Sequence, residues 1–471
     1  MPFYQSIPEI LAENRADKTA IETRTEMVIS ALDGLGRDLK ATVFLDPEFS
    51  HNQARILSSG NENLPLFGVP LAHKELYGRK QTEAVWPDEG GSKSCKGQKA
   101  AKTATTIAKL DSAGAVDCGR LVSVEYALGV TGHNAYAGTP RNPWNREYIC
   151  GGSSSGSAAV VAGGIVPGAM GSDTGGSIRL PAAACGLVGI KPTQGLVSRS
   201  GIFPLSTSLD TAGPLTRSVE DSALILNAIT GYDAADTMSI EAKKIDYTKE
   251  LATGLKGLRI GLPERYFLEG SDSDIADKIA EVFDRLNQLG ARGHNIEIKG
   301  IENTNPLNVL LIATEATLIH GGRLADIHAD LNAQTLMRIL TGAFTSPQDY
   351  ARLLACRADY IARTLPDLFD KVDMFLTPVW PFALPTIEQS DVGSNPEAAA
   401  LVQKIGHNTR PVNFLGLPAI CLPIGFDKNG LPVSAQLVGK PFSEDLLLRA
   451  AHAIEREYRF WDSRPADIKT A

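Results

Sequence analysis

Strand-like and helix-like segments alternate along the whole chain. Short apolar runs at 64–73 and 115–121 predict buried strands. Between them, 103–113 predicts a helix that ends at Gly114. From Asp274 onward, apolar residues recur at the three- and four-residue spacing that places them on one face of a helix. Such alternation predicts an α/β protein.

The C-terminal half continues the same pattern. Three further strands are predicted at 258–262, 373–379 and 420–426. The last is followed by Lys428-Asn429-Gly430 and a second apolar run at 433–438, which predicts a hairpin. Ser218 and Asp221 have the spacing of a capping box at the start of a helix. Ser443 is the predicted N-cap of the last helix.

Glycine density divides the chain, although no linker or repeat does. Residues 129–213 are crowded with glycine and small polar residues, whereas 240–410 have an ordinary helical composition. We expect a single domain over 1–471, made of an N-terminal helical segment (1–60), a glycine-rich catalytic core (64–230), a helical insertion (255–410) and a C-terminal return to the core (411–471). A split into two domains within 231–254 is the alternative.

Charge and composition narrow the choice of partners and compartment. The net charge is −8, so no domain-wide basic field is present to attract a nucleic acid. The first residues lack the charged start and apolar run of a signal peptide, and no run reaches the roughly 18 apolar residues of a membrane helix. Six dispersed cysteines form no CxxC pair and are interpreted as reduced. We therefore expect a cytoplasmic protein with no nucleic-acid or membrane partner, and a homodimer as a candidate assembly.

Two serine-bearing glycine turns carry the most chemical information. The first lies within 150–159, Cys-Gly-Gly-Ser-Ser-Ser-Gly-Ser-Ala-Ala, and the second within 171–181, Gly-Ser-Asp-Thr-Gly-Gly-Ser-Ile-Arg-Leu-Pro. Glycine allows positive φ and a close approach of ligand to backbone. A turn that opens a helix leaves N–H donors free to bind an anion, including the oxyanion of acyl transfer. From these residues alone, a flexible or phosphate-binding loop remains an alternative.

Other catalytic motifs are absent from the sequence or lack their context. There is no P-loop motif, no H-E-x-x-H, no C-x₂-C and no S-x-x-K, so we expect neither a metal nor a cofactor. Residues 152–156 do match G-x-S-x-G, the nucleophile elbow of α/β-hydrolases, with Ser154 as nucleophile. An elbow follows a hydrophobic strand, whereas 142–148 has the composition of a loop. The elbow is therefore disfavoured.

The region from about 64 to 230 resembles the amidase signature family. The matching stretches are 68–75 (Gly-Val-Pro-Leu-Ala-His-Lys-Glu), 139–144, both serine turns, 186–193 and 209–214, with a fainter match at 413–419 and 436–439. The resemblance implies an α/β fold in which a mixed, twisted β-sheet is covered by helices on both faces.

The resemblance also implies a role for each matching residue. Ser177 corresponds to the acyl-forming nucleophile, Ser153 to the bridging serine that follows a cis peptide, and Lys74 to the general base. The backbone N–H groups of Thr174, Gly175, Gly176 and Ser177 would form the oxyanion hole. Lysine accepts a proton only when neutral, so burial or nearby positive charge must lower its pKa well below about 10.4.

Several neighbouring residues are expected to support this triad. Asp173 and Arg179 are interpreted as a buried ion pair, and Ser154 and Ser172 as hydrogen-bonding residues that orient the triad. Strand alternation turns His73 to the face opposite Lys74. The residues expected in the core are Tyr126 and Trp144; Trp86, Phe344, Trp380 and Phe382 could form an aromatic wall or belong to the core. Substrate specificity is expected from 77–98 and 300–400.

The resemblance implies an amidohydrolase that cleaves the C–N bond of a small-molecule amide or hydrazide-like compound, not a peptide bond in a protein. The alternative is a glutamine amidotransferase subunit that supplies ammonia to a partner acting on aminoacyl-tRNA. Residues 201–210 are more similar to the stand-alone amidases. A third hypothesis, an inactive scaffold, is disfavoured because all three triad positions hold the family's residue types.

Overall fold

One large mixed sheet organises the protein. The computed structural model describes residues 4–81, 86–466 and 468. In chain order, the strands are β1 Thr42–Phe44, β2 Pro70–Lys74, β3 Val116–Leu121, β4 Gly168–Asp173, β5 Val188–Lys191, β6 Thr211–Thr216, β7 Arg259–Leu262, β8 Arg292–Asn295, β9 Met374–Pro378, β10 Ala419–Phe426 and β11 Pro432–Gly439. Their order across the sheet is β1-β3-β2-β4-β6-β5-β10-β11-β9-β7-β8.

The sheet is mixed: it contains both parallel and antiparallel pairs of strands, and these lie in different parts of the sheet. The strand β2 runs parallel to its neighbours β3 and β4, and β7 runs parallel to β8 and β9. The central ladders from β4 through β6, β5, β10 and β11 to β9 are antiparallel. The predicted α/β class with a mixed sheet is therefore confirmed.

Helices flank this sheet. They are α1 Ile7–Ala16, α2 Ala20–Ala31, α3 Pro47–Ser58, α4 Thr105–Ser112, α5 Ser155–Ala162, α6 Arg179–Ala184, α7 Val219–Ile229, α8 Ser273–Gln288, α9 Thr304–His320, α10 Leu324–Ile327, α11 Ala333–Gly342, α12 Pro347–Lys371, α13 Ala398–Lys404, α14 Arg410–Phe414 and α15 Glu444–Tyr458. Within the described ranges, none of them has the length and apolar composition that crossing a bilayer requires.

Most predicted elements lie close to their expected positions. The helix α4, the strand β3 and the hairpin of β10 and β11 agree with the sequence pattern within a few residues. The strand predicted at 64–73 begins only at Pro70 and ends at Lys74. Residues 62–68 form turns instead, and Gly68 adopts a φ of 70° in tight contact with Ile21.

Two predicted caps differ from the expectation. The Ser218 hydroxyl accepts the N–H of Asp221, but the Asp221 carboxylate accepts the N–H of Ile7 at 2.7 Å and so leaves the capping box half formed. Asp221 thereby fixes the start of α1 rather than its own helix. Ser443 does not cap α15, because its hydroxyl donates to the carbonyl of Lys440 at 2.7 Å.

The segment interpreted as a helical insertion, 255–410, also supplies strands. It contributes β7, β8 and β9, which extend the same sheet at one edge. The N-terminal segment likewise supplies β1 at the opposite edge. These strands have only three to five residues, which is why helical composition dominates both segments. Part of the predicted specificity region 77–98, residues 82–85, lies outside the described residues.

Candidate active site

The ends of two neighbouring parallel strands place Lys74 and Ser172 side by side. Lys74 is the last residue of β2, and Ser172 is next to last in β4. The Lys74 amino group lies 2.7 Å from the hydroxyl of Ser153 and 2.9 Å from the hydroxyl of Ser172. The lysine is fully buried. The contact between Lys74 and Ser153 is one of the two links that the predicted triad requires.

Ser153 is held just before a buried helix. The helix α5 begins at Ser155, and its Gly156 packs so closely against the residue after β3 that a Cβ would lie 2.6 Å from the backbone nitrogen of Val122. The peptide bond between Gly152 and Ser153 is cis, as the family resemblance predicts.

Burial changes the proton affinity of Lys74. Removal from water lowers the pKa of the amino group to about 7, against the nearby negative charges of Asp210, Glu75 and Asp173, which raise it. A large fraction of the lysine is then neutral near neutral pH. A neutral amine can accept the hydroxyl proton of Ser153 across the same 2.7 Å contact.

Asp173 organises the second serine turn. One carboxylate oxygen accepts the N–H of Gly176 at 2.8 Å, and the other accepts the N–H of Ile178 at 3.1 Å. Arg179 pairs with both oxygens at 3.1 Å, with both side chains fully buried. Burial would raise the pKa of Asp173, but the Arg179 guanidinium outweighs it and holds that pKa well below its usual range. The expected buried ion pair is therefore present.

Arg179 also ties the turn to the C-terminal part of the chain. Its guanidinium donates to the side chains of Asn413 and Gln436 and to the carbonyl of Thr409. A buried charge needs such partners, because an unpaired one costs several kcal/mol. The C-terminal return predicted from the sequence thus contacts the serine turn directly.

The expected oxyanion donors need one correction. The N–H of Gly176 donates to Asp173 and is therefore not free in this arrangement. Gly176 is still required as glycine, because its φ is 128° and a Cβ would overlap the hydroxyl of Thr409. The N–H groups of Thr174, Gly175 and Ser177 make no backbone hydrogen bond to described residues and remain the predicted donors.

Ser177 faces a cavity. The cavity has a volume of about 340 Å³, and Thr174 and Gly175 line it beside Ser177. The Ser177 hydroxyl makes no hydrogen bond to a described residue. The predicted hydrogen bond between Ser153 and Ser177 is therefore not formed in this structure. The carbonyl of Ser177 accepts the N–H of Ser154 at 3.3 Å, which connects the two turns.

The two supporting serines have different roles. Ser172 contacts the amino group of Lys74 itself. Ser154 is fully buried, accepts the Ser172 N–H at 3.2 Å and contacts the Ser172 carbonyl at 3.3 Å. It thus orients Ser172 rather than the triad directly. Ser154 does not line the cavity. The segment just before it, 142–152, contains no strand, whereas a nucleophile elbow directly follows one. The nucleophile-elbow interpretation is therefore wrong.

His73 and the two aromatic residues expected in the core are structural. His73 lies on the face opposite Lys74, with its ring nitrogen 3.9 Å from Asp117, and burial lowers its pKa to about 3. Tyr126 is buried against Phe203, and half-buried Trp144 packs against Phe426.

No aromatic wall forms from the four candidates. None of them lines the cavity that contains Ser177. Trp86 is buried beneath Arg120, and Trp380 donates to the carbonyl of Leu180 at 3.1 Å. Phe382 packs edge-to-face on Trp380, whereas Phe344 is 91% exposed. The prediction that these side chains could contact substrate is not supported.

Sequence reasoning missed the residues that do line the cavity. Its walls are mostly apolar, from 127–130, α9 and α13, and its polar side chains include Gln334, Arg338, Gln403 and Arg410. Asp210 was also missed: it accepts the Thr174 hydroxyl at 2.6 Å, and burial raises its pKa. The position of Asp210 inside a matched stretch was the available signal; the two arginines lie in no motif.

The chain is similar along most of its length to known amidases and amidotransferase subunits. The Amidase family profile matches residues 24–448. A glutamyl-tRNA(Gln) amidotransferase subunit of Neisseria meningitidis serogroup A is 36% identical over 432 residues, 87% of this chain and 88% of that protein. A solved chain from a vestigial protein complex related to the origins of an s-triazine catabolic enzyme is 28% identical, with a TM-score of 0.88 over 96% and 98% of the two chains. A bacterial aryl acylamidase of the amidase signature family is 26% identical, with a TM-score of 0.85 over 98% of each chain.

The fold and these matches define an enzyme of the amidase type, a class that includes hydrolases and amidotransferases. The chain belongs to the amidase signature family. The family assignment inferred from the matching sequence stretches is therefore confirmed.

Proposed function

We propose that this protein hydrolyses the C–N bond of small-molecule amides through an acyl-enzyme on Ser177. The observation that carries the proposal is the 2.7 Å contact between the buried Lys74 amino group and Ser153. An amide is a weak electrophile and a serine hydroxyl a weak nucleophile, so both a base and an oxyanion site are needed.

In the first half-reaction, neutral Lys74 takes the proton of Ser153, and Ser153 takes the proton of Ser177. The Ser177 oxygen then attacks the amide carbonyl, and the free N–H groups of the second serine turn stabilise the oxyanion. The C–N bond breaks as the relay returns a proton to the leaving nitrogen, which releases ammonia or an amine. Water, deprotonated by the same relay, cleaves the ester on Ser177 to give the carboxylic acid.

The cavity supports a small substrate. Its volume of about 340 Å³ lies in the range of small-molecule pockets, and its apolar walls suit a methylene chain. Hydrazide-like compounds fit the same chemistry, because their C–N bond also joins an acyl carbon to a leaving nitrogen.

A second candidate function is a glutamine-hydrolysing amidotransferase subunit. The curated relatives that support it are named as glutamyl-tRNA(Gln) amidotransferase subunits and are 35–37% identical to this chain. The first half-reaction would be the same, with glutamine as the amide and ammonia passed to a protein partner. By sequence, these relatives favour the second candidate, whereas the described cavity lining favours the first, because it contains no Asp or Glu to bind the α-ammonium of glutamine.

We also propose a cytoplasmic location and a homodimer as the assembly of the stand-alone enzyme. Six cysteines without a disulfide, five of them buried, support a reducing compartment. The homodimer is tested by light scattering of the purified protein.

The experiment that tests the function is an assay of ammonia or amine release from primary amides, anilides, hydrazides, ureas and glutamine. Wild-type protein should turn over at least one small amide, and intact-mass measurement should detect its acyl group on Ser177. The Ser177→Ala variant serves as the matched control. Turnover of glutamine alone, together with copurification of a second subunit, would establish the second candidate instead. Activity that persists in Ser177→Ala would contradict both.

A further inference from the structure

Two arginines from separate elements face the cavity that contains Ser177. Arg338 belongs to α11, and Arg410 is the first residue of α14. Both are half-buried. Two positive charges therefore share one small, mostly apolar space with the proposed nucleophile.

Neither guanidinium has an acidic partner among the described residues. Arg338 donates to the carbonyl of Leu128, and Arg410 donates to the carbonyl of Gln403 at 3.0 Å and to the side-chain oxygen of Asn305 at 3.2 Å. No Asp or Glu of the described chain lines the cavity. Buried arginines of the described chain do have acidic partners: Arg24 pairs with Glu13, and Arg79, Arg120 and Arg179 each pair with an aspartate. Half-buried Arg217 and Arg357, like Arg338 and Arg410, bond to carbonyl or amide oxygens instead, so it is the shared cavity beside Ser177 that sets Arg338 and Arg410 apart.

The proton affinities reflect this uncompensated charge. Burial lowers the pKa of Arg338. Burial and then the charge of Arg338 lower the pKa of Arg410 to about 10. Both side chains nevertheless remain cations near neutral pH. An anion placed between them would relieve the repulsion and form charge-assisted hydrogen bonds.

An unsatisfied amide lies beside Gly175 and Arg410, although it is not part of the cavity lining. Asn308 of α9 is fully buried, and neither its oxygen nor its nitrogen has a hydrogen-bond partner among the described residues. A Cβ built on Gly175 would lie 3.4 Å from the Cγ of Arg410 and 3.5 Å from the Oδ1 of Asn308, so all three residues meet. Buried amides without partners are uncommon in proteins, so Asn308 leaves unused hydrogen-bonding capacity next to Arg410.

We propose that Arg338 and Arg410 bind a carboxylate of the substrate, so that the preferred substrates are amides that carry a carboxylate at a distance from the scissile carbonyl. This inference rests on the proposed amide hydrolysis for turnover but not for binding. The monoamide of a small dicarboxylic acid has the required chemistry. Its methylene chain would contact the apolar walls, its amide carbonyl would approach Ser177, and its carboxylate would reach the arginines.

The same cavity disfavours glutamine. Glutamine carries an α-ammonium beside its carboxylate, and no carboxylate of the described lining is present to bind that ammonium. Close to two guanidiniums, the ammonium would be repelled and desolvated without compensation. Glutaramate, which is glutamine without its amino group, should therefore be the better substrate.

The test compares kcat/KM for three amides of equal chain length: glutaramate, neutral pentanamide and glutamine. Glutaramate should exceed each of the other two by about 100-fold, the order of magnitude for charge-assisted hydrogen bonds. Arg410→Met and Arg338→Met should reduce the glutaramate-to-pentanamide ratio to within about tenfold of unity. Arg410→Lys should retain part of the preference. Arg352→Met, which removes an exposed arginine of α12, is the matched control and should keep the wild-type ratio.

A binding measurement separates this inference from the proposed function. Calorimetry with glutarate on Ser177→Ala should detect binding that is lost in the Ser177→Ala, Arg410→Met double variant, whose melting temperature checks its fold. If no amide is turned over but glutarate binds in this way, the function fails and the carboxylate site stands. If pentanamide is hydrolysed as well as glutaramate and glutarate does not bind, the carboxylate site is wrong.

Discussion

Ser172 accepts a hydrogen bond from the amino group of Lys74 at 2.9 Å. The lysine is thereby held by two serine hydroxyls, Ser153 and Ser172, that come from different segments of the glycine-rich core. Since Ser154 holds the backbone of Ser172, the position of the base depends on both serine turns.

Ser172→Ala tests this arrangement. A hydroxyl acceptor stabilises the charged amino group, so its loss should lower the pKa of Lys74 and move the acidic limb of the activity profile to lower pH. The rate on the plateau should fall about tenfold because the amine is less well oriented. The pH profile of acylation measures both effects. Ser157→Ala removes another buried serine, whose hydroxyl donates to the Met170 carbonyl and makes no contact with Lys74 among the described residues, and it should leave the limb in place.

The assignment of the nucleophile predicts a large difference between two serines. Ser177→Ala should reduce amide hydrolysis by at least about 10⁴-fold, since no other group can carry the acyl intermediate. Ser154→Ala should cost far less, about tenfold, because Ser154 supports Ser172 without facing the cavity. Steady-state rates of the two folded variants show which serine is the nucleophile. The reverse order of damage would restore Ser154 as nucleophile.

Lys74→Met should stabilise the protein in a pH-dependent way. The lysine pKa is about 7 in the folded protein and has its ordinary value of 10.5 in the unfolded chain. Below about pH 7 the folded state bears the whole cost of the buried charge, and this cost declines as pH rises toward 10.5. The gain from Lys74→Met should therefore be largest at pH 6 and should shrink by a few kcal/mol by pH 10.

Urea unfolding at pH 6, 8 and 10 measures that gain. The exposed Lys80→Met variant is the control and should show no such trend. A Lys74→Met difference that is the same at all three pH values would contradict a lowered lysine pKa.

Asp173→Asn should destabilise the fold strongly. It leaves the fully buried Arg179 without its carboxylate, a change that typically costs about 3–5 kcal/mol. Asp359→Asn, in an exposed pair with Arg363, should cost at most about 0.5 kcal/mol. Urea midpoints compare the two variants. Equal, small losses would mean that Asp173 does not hold the serine turn.

The resemblance to the amidase signature family implied the contact between Lys74 and Ser153, because both residues lie in stretches that match the family; the residues alone did not predict it. The residues themselves predicted the Asp173–Arg179 pair, whose members are six residues apart in one turn. The sequence did not predict that the N–H of Gly176 donates to Asp173 and is therefore not available to an oxyanion. Only the folded turn places the Asp173 carboxylate against the N–H of Gly176.

Arg338 and Arg410 could not be predicted. They are more than 150 residues from Ser177 in sequence and come from helices without a motif. Tertiary packing alone brings them to the cavity. Likewise, Asp221 has the spacing of a capping box, but the N–H of Ile7, more than 200 residues away, takes its carboxylate.

The most direct test of the account is the rate at which a fluorophosphonate probe labels Ser177 as a function of pH. In wild-type protein the rate should rise about tenfold per pH unit up to about pH 7 and then level off, as Lys74 becomes neutral. Lys74→Ala should label about 10³-fold more slowly, and Lys74→Arg no faster, because a guanidinium keeps its proton. Wild-type and Lys74→Ala proteins that label at similar rates with the same pH dependence would show that Lys74 is not the base.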